Sequence, residues 1–145
     1  MNRPGSAIVG GVVGTALMSL VFVLMEVQTR YVLHIFDVIA RFVRRPGEPY
    51  VGFLLFAVAG VLVWPLLFVS LLEYIPRGPD PAVQGMVFAL PLWVVFAFTG
   101  RGDLDWPTLL IYATFTLLAH LVYGFAMGAV YASMADEGPE PTPVA

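Results

Sequence analysis

The sequence has 145 residues, enough for one domain, of which 59% are hydrophobic and only 12% are charged. A soluble domain averages about 25% charged residues, and a soluble fold this poor in charge could not cover its own surface, so the composition indicates an integral membrane protein. The net charge of −3 does not favour a nucleic-acid partner, and the lack of cysteine excludes disulfides, thiolate metal sites and cysteine nucleophiles.

Four stretches are apolar enough and long enough to cross a membrane as helices, which takes about 20 residues each. They cover about residues 7–28, 51–72, 81–100 and 107–133, separated by polar turns rich in proline and glycine. Asp105 is placed to cap the fourth helix. The pattern predicts an all-α, four-transmembrane-helix bundle that forms a single domain over residues 1–134. The acidic, proline-rich tail at 135–145 is predicted to be disordered.

The segment "RYVLHIFDVIARFVRR", residues 30–45, follows the first apolar stretch. At about 100° per residue, its charged and titratable side chains fall within one arc of a helix. This predicts an amphipathic interfacial helix with its arginines toward lipid phosphates, and the same surface would also suit docking of a partner subunit. The residues predicted to contact lipid or a partner are Arg30, His34, Asp37, Arg41, Arg44 and Arg45.

The arginines are distributed unequally between the two sides of the predicted bundle. Five lie on the side of the 26–50 connection and the 101–105 turn, and two lie on the side of the termini. Positive charge in short loops favours the cytoplasmic face. We therefore expect a multi-pass protein of the cell membrane with both termini extracytoplasmic.

Small residues recur in steps of four on the first and fourth helices, as they do where membrane helices pack closely. We expect the face with Gly10 and Gly14 to meet the face with Gly124 and Gly128, which would make these two helices the tightest pair. The predicted packing residues are Gly10, Gly11, Gly14, Thr15, Ser19, His120, Gly124, Gly128 and Ala132.

His120 lies well inside the fourth stretch, where an ionisable group faces the protein interior. One hypothesis is a neutral histidine that bonds Thr15, Ser19 or a backbone carbonyl and holds two helices together. The alternatives are a proton-relay group, or a contact to haem or quinone, in which Met18 could supply a second iron ligand. No cofactor or metal site is predicted, and His120 is the one candidate for binding a cofactor.

Two sites in the middle helices predict irregular geometry. Trp64-Pro65 in the second helix and Pro91 in the third are expected to bend their helices. Neighbouring groups in a membrane bundle can satisfy the carbonyls that proline leaves free.

The strings "GGVVGTALMS", "IFDVIARFV", "GRGDLDWP" and "HLVYGFAMGAVY" resemble a family of small four-helix membrane proteins from halophilic archaea, a domain of unknown function. The resemblance covers about residues 5–134. It implies a polytopic protein of the cytoplasmic membrane without established catalytic residues. Relatives associated with respiratory terminal oxidases favour an accessory role.

The sequence offers no paired carboxylates, nucleophile–base set or phosphate loop, so a non-enzymatic protein is predicted. The leading hypothesis is an accessory or structural subunit of a larger membrane complex, with a respiratory complex as the candidate. Its expected partners are anionic lipid headgroups and other membrane subunits or further copies of itself. The alternatives are a homo-oligomeric transporter or channel using Glu26, Arg30 and His120, and a haem- or quinone-binding electron-transfer subunit.

Overall fold

The computed structural model describes residues 2–29, 34–76, 78 and 80–135, and these residues contain helices and no β-strand. Four helical stretches are long and apolar enough to cross a membrane, which confirms the predicted class and number. The predicted positions of Arg30 and of the tail from 136 to 145 lie outside the described residues. The α-helices are α1 (Arg3–Thr29), α2 (Ile35–Phe42), α3 (Pro49–Val58), α4 (Trp64–Leu71), α5 (Pro81–Gly100) and α6 (Thr108–Met134).

Side chains satisfy the free N–H groups at two helix starts, as helix capping requires. Asn2 Oδ1 accepts from the Gly5 N–H at 2.9 Å, and Asp80 Oδ1 accepts from the Ala82 N–H at 2.9 Å. The predicted cap by Asp105 is wrong. Pro107 lies at the start of α6 without a side-chain cap, and Asp105 instead uses its backbone carbonyl to accept from the Leu109 N–H at 2.9 Å.

The second apolar stretch is irregular at the predicted place. Between α3 and α4 it forms a π-helical turn, Ala59–Val63, directly before Trp64-Pro65, and after α4 it ends in a 3₁₀ turn, Leu72–Tyr74. We call α3, this π-turn and α4 together the second span. By contrast, α5 continues through Pro91 to Gly100 as one helix.

Helix α6 is the centre of the bundle, because α1 and α5 pack on it about equally extensively. The second span packs on α1, and α2 folds back on α3 and reaches α5. Gly10 of α1 approaches the backbone of Met127 in α6, so the start of α1 and the end of α6 share one end of the bundle. We call this the terminal end, and the opposite end the α2 end.

The small residues do not pair as predicted. Gly124 and Gly128 approach the backbone of α5 at Gly85 and Pro81, not α1. Gly10 and Gly14 do face α6, but they contact Met127 and Tyr123. The reason is geometric, because neighbouring residues on a helix point about 100° apart and Tyr123 and Gly124 therefore face different helices.

Two other predicted packing residues also differ from expectation. Gly11 faces the second span, where an added Cβ would clash with Pro65 and the Gly60 carbonyl. Ala132 is exposed rather than packed between helices. The spacing of small residues at every fourth position predicted which residues share a face of the helix. For Gly11 and Ala132 it did not predict what that face contacts.

Candidate functional site

A cleft of about 420 Å³ lies between the second span and α5. Toward the terminal end these two elements meet, since the rings of Phe68 and Phe88 are 5.6 Å apart and the Gln84 amide donates to the carbonyls of Leu72 and Ile75. Toward the other end α2 closes the cleft. Its walls come from five elements and comprise Met18, Phe22, Ile39, Phe42, Val43, Leu55, Phe56, Ala59, Gly60, Trp64, Leu92, Val95, Phe96, His120 and Tyr123.

His120 is the one ionisable imidazole in this largely apolar wall, and it is only 7% exposed. Its Nδ1 lies 2.7 Å from the Thr116 carbonyl, one turn earlier in α6. A carbonyl oxygen can only accept, so Nδ1 carries the proton and Nε2 of the neutral ring is an acceptor. The ring also lies 5.4 Å from that of Phe96, which fixes it between two helices.

Nε2 of His120 has no hydrogen bond within the described residues, yet it is not sealed off. If Nε2 were both buried and without a partner, it would resemble Thr15 Oγ1. Among the described residues that are not exposed, Thr15 Oγ1 is the only buried side-chain polar atom without a hydrogen bond. Nε2 is therefore accessible, and because His120 lines the cleft we infer that it is reached from there. The cleft thus contains an acceptor that the protein leaves free.

The predicted partners of His120 lie elsewhere. The Thr15 side chain lies against Gly60 of the second span, and the Ser19 hydroxyl donates to the Thr15 carbonyl at 2.8 Å. The hypothesis of a bond to Thr15 or Ser19 is therefore wrong, and the alternative of a backbone carbonyl is the one observed. That carbonyl belongs to α6 itself, so the bond orients the ring and does not link two helices.

Tyr123 stabilises the wall opposite α5. Its hydroxyl donates to the Gly60 carbonyl at 2.7 Å, inside the π-turn. In this turn the Trp64 N–H donates to Ala59, and the next residue, Pro65, has no N–H, so no backbone donor from positions 64 or 65 is left for Gly60. A side chain from another helix thus replaces the hydrogen bond that proline removes.

The predicted contact surface around α2 is partly described. Asp37 accepts from the Gly47 N–H and from Arg41 at 2.8 Å, and Arg45 pairs with Glu48 at 3.2 Å. The Gly47 amide, and after it Arg41, holds the pKa of Asp37 below its ordinary value of 3.8. Ile35, Val38 and Ala40 are buried while residues 41–50 are exposed. Its position at a membrane surface stays a prediction.

Two residues of this surface, His34 and Arg44, have left-handed backbone conformations, with φ of 47° and 60°. Arg44 follows α2 at the position where helices most often have glycine. The Arg45 N–H donates to Ala40 and the Arg44 N–H to Arg41, which completes the usual pair of bonds at a helix end. Neither Arg44 nor Arg101 has an ion pair among the residues described.

A second, more polar cavity lies on the other side of Phe22. Glu26, His34 and Asp37 line it, but no group of three potential metal ligands exists within the described residues. Glu26 and His120 therefore border different cavities, and Phe22 borders both. The path proposed for a transporter would have to pass this ring.

Sequence reasoning paired His120 and Met18 only as iron ligands in the haem alternative; both line the cleft, which it did not predict. The signals that could have indicated it were the irregular Trp64-Pro65 site and the single titratable group opposite it. Neither signal determines the distance between the second span and α5, and this distance sets the volume of the cleft.

Comparison with curated proteins found no match, and comparison with solved structures found none. A family model does match, over residues 1–141 and thus nearly the whole chain. It describes a family of unknown function, which agrees with the uncharacterised domain that the sequence resembled. The chain belongs to this family of unknown function, DUF6789.

Proposed function

We propose that this protein is a non-enzymatic membrane protein that binds a small lipid-soluble molecule in the cleft beside His120. The observation that supports it is a cleft of about 420 Å³ whose apolar wall contains one free, nine-tenths buried acceptor. Ligand sites have volumes of about 300–1,000 Å³, apolar walls and a few polar groups that orient the ligand. The cleft has each of these properties.

The cleft is also open in the direction from which such a molecule would come. Val95 is 61% exposed and Phe42 and Val43 are each 46% exposed, and all three border the cleft. In a membrane these exposed apolar side chains would face hydrocarbon. A lipid-soluble molecule could therefore enter from the bilayer without crossing water.

Identification of a co-purified ligand tests this proposal. The protein is purified from its native membrane in a mild detergent, extracted with organic solvent and analysed by mass spectrometry. In Ala59→Phe the new ring should fill the cleft, whereas in Val58→Phe it should point outward from a position that is 43% exposed. We expect one compound to be enriched with wild type and Val58→Phe and lost with Ala59→Phe. Equal recovery from all three proteins would contradict the proposal.

A second candidate function is that of an accessory subunit in a larger membrane complex. This function is compatible with ligand binding in the cleft. The low burial of the second span favours it. Of the residues in the 18-residue apolar window of this span, 22% are buried, compared with 33–39% in the other three spans. This span therefore presents the largest unpaired apolar face, with Phe53, Leu54 and Val58 exposed. Gentle extraction followed by cross-linking from Leu54→Cys should capture one defined membrane protein or a second copy. Capture of lipid alone would count against it.

We also propose that the α2 end faces the cytoplasm and that both termini are extracytoplasmic. The arginines at the α2 end support this orientation, and Arg41, Arg44 and Arg45 are exposed and suited to anionic lipid headgroups. A membrane-impermeant thiol label applied to intact cells should leave Arg44→Cys unmodified and should modify Asn2→Cys. The reverse pattern would show the opposite topology.

A further inference from the structure

We infer that the ligand of the cleft has a ring hydroxyl that donates its proton to Nε2 of His120, which makes it a lipid-soluble phenol, hydroquinones included. This inference rests on the proposed function and specifies the ligand class for the same site. It follows from three properties of the cleft, which concern hydrogen bonding, ring contacts and access.

The first property is the direction of the hydrogen bond. The Nδ1 proton of His120 is committed to the Thr116 carbonyl at 2.7 Å, so the ring can offer only a lone pair at Nε2. A ketone, an ether or an acyl chain has no proton to give to this nitrogen. A hydroxyl does, and it would satisfy a buried acceptor that the protein leaves without a partner.

The second property is the shape of the surrounding groups. Phe96 lies 5.4 Å from the His120 ring and 6.0 Å from Phe42, and on the opposite wall Phe22 lies 6.2 Å from Phe56. Aromatic side chains at such spacings favour a further ring in offset or edge contact. An aromatic alcohol therefore fits these walls better than an aliphatic one.

The third property is that the polar groups of the cleft lie at depth behind an apolar opening. Tyr123 also lines the cleft; its hydroxyl proton is committed to the Gly60 carbonyl, while its oxygen can still accept a hydrogen bond, so His120→Leu is needed to assign the acceptor. The Trp64 indole also borders the cleft, and its N–H has no hydrogen bond among the described residues. A ketone could bind that donor instead, so the test must separate donors from acceptors.

Two matched probes make this separation, 4-decylphenol and 4-decylanisole, which differ only in whether the oxygen carries a proton. Each is titrated calorimetrically into the full chain in lipid nanodiscs, with empty nanodiscs as the reference. We expect wild type to bind the phenol about threefold to tenfold more tightly, the range that one neutral hydrogen bond supplies. His120→Leu should bind both probes equally, at about the affinity of wild type for the anisole.

The cleft variants distinguish failure of this inference from failure of the proposed function. Ala59→Phe should lose both probes and Val58→Phe should lose neither. Equal binding of the two probes by wild type, still abolished in Ala59→Phe, would overturn the inference and leave a ligand site. Binding of neither probe, or binding that Ala59→Phe does not change, would overturn both. Because equal binding of the two probes by wild type is enough to overturn the inference, it stays refutable even if His120→Leu does not fold.

Discussion

Replacing Tyr123 by phenylalanine removes one oxygen and leaves the Gly60 carbonyl without its donor. The bond is 2.7 Å long and joins α6 to the π-turn of the second span. Hydrogen bonds between membrane helices average about 0.6 kcal/mol and reach about 1.7 kcal/mol, because the groups also find partners in the state that is unfolded within the membrane. Here the backbone offers no replacement, since the Trp64 N–H is engaged with Ala59 and Pro65 has none. We therefore expect Tyr123→Phe to lower the free energy of unfolding by about 1–2 kcal/mol.

A second substitution tests the cause and not only the size of this effect. Pro65→Ala introduces an N–H five residues after Gly60, in the same relation as the Trp64 N–H has to Ala59. In that background the Gly60 carbonyl has a backbone donor of its own. The cost of Tyr123→Phe should then fall below about 0.5 kcal/mol, a coupling that a double-mutant cycle measures directly.

Reversible unfolding in mixed micelles, followed by far-ultraviolet circular dichroism, provides the free energies. Tyr131→Phe is the matched control, because Tyr131 is equally buried in α6 but its hydroxyl has no hydrogen bond within the described part of the chain. Its replacement should change stability by less than about 0.5 kcal/mol. If Tyr123→Phe costs the same with and without Pro65, or costs nothing, then the hydroxyl does not compensate for the proline.

Three further predictions follow from local geometry. Gly128→Ala should destabilise the bundle by about 1–3 kcal/mol, because its Cβ would clash with a carbonyl of α5, whereas Ala132→Leu on the exposed side should change the thermal midpoint little. Arg44→Gly should raise the free energy of unfolding by about 1 kcal/mol, since glycine adopts a φ of 60° without strain; a lower midpoint would contradict this. The bonds that Asp37 accepts from the Gly47 amide and from Arg41 lower its pKa in the folded state below 3.8. These bonds therefore stabilise the fold above pH 3.8, and this contribution is lost as the pH falls through the lower pKa of the folded state. Asp37→Asn should therefore be less stable than wild type at pH 7 and should unfold with a weaker dependence on pH in the acidic range.

The apolar helices were predictable because their signals are local. Residues 81–100 were predicted as the third helix, and α5 extends over Pro81–Gly100, between a capping aspartate and a polar turn. The first helix begins at Arg3 rather than at residue 7 because Asn2 caps it, and hydrophobicity does not detect a cap.

The packing partners were not predictable from the same signals. A step of four marks one face of a helix, but it does not say which neighbour covers that face. Because α6 is central, its successive faces meet α1 and α5, and Gly124 and Gly128 lie on the face toward α5. The sequence assigned them to α1 since both helices show the same small-residue spacing.

The cleft depends on a change in the spacing of buried residues along the second span, which is known only once the burial of each residue is known. In the second span the buried residues are Gly52, Phe56, Gly60, Pro65 and Phe68, so their spacing is four, four, five and three. One additional residue in a turn rotates everything that follows by about 100°. The step of five coincides with the π-turn and returns both halves of the span to the bundle.

This register also decides which side chains can reach a ligand. Phe56 and Ala59 before the shift and Trp64 after it all line the cleft, and without the additional residue the two halves of the span could not both face it. The hydrogen bond from Tyr123 stabilises the turn that makes this possible. If the cleft is a ligand site, Tyr123→Phe should therefore weaken binding of 4-decylanisole as well as lower stability, although the substitution removes no apolar surface. In Pro65→Ala, where the carbonyl regains a donor, the same substitution should leave anisole binding unchanged.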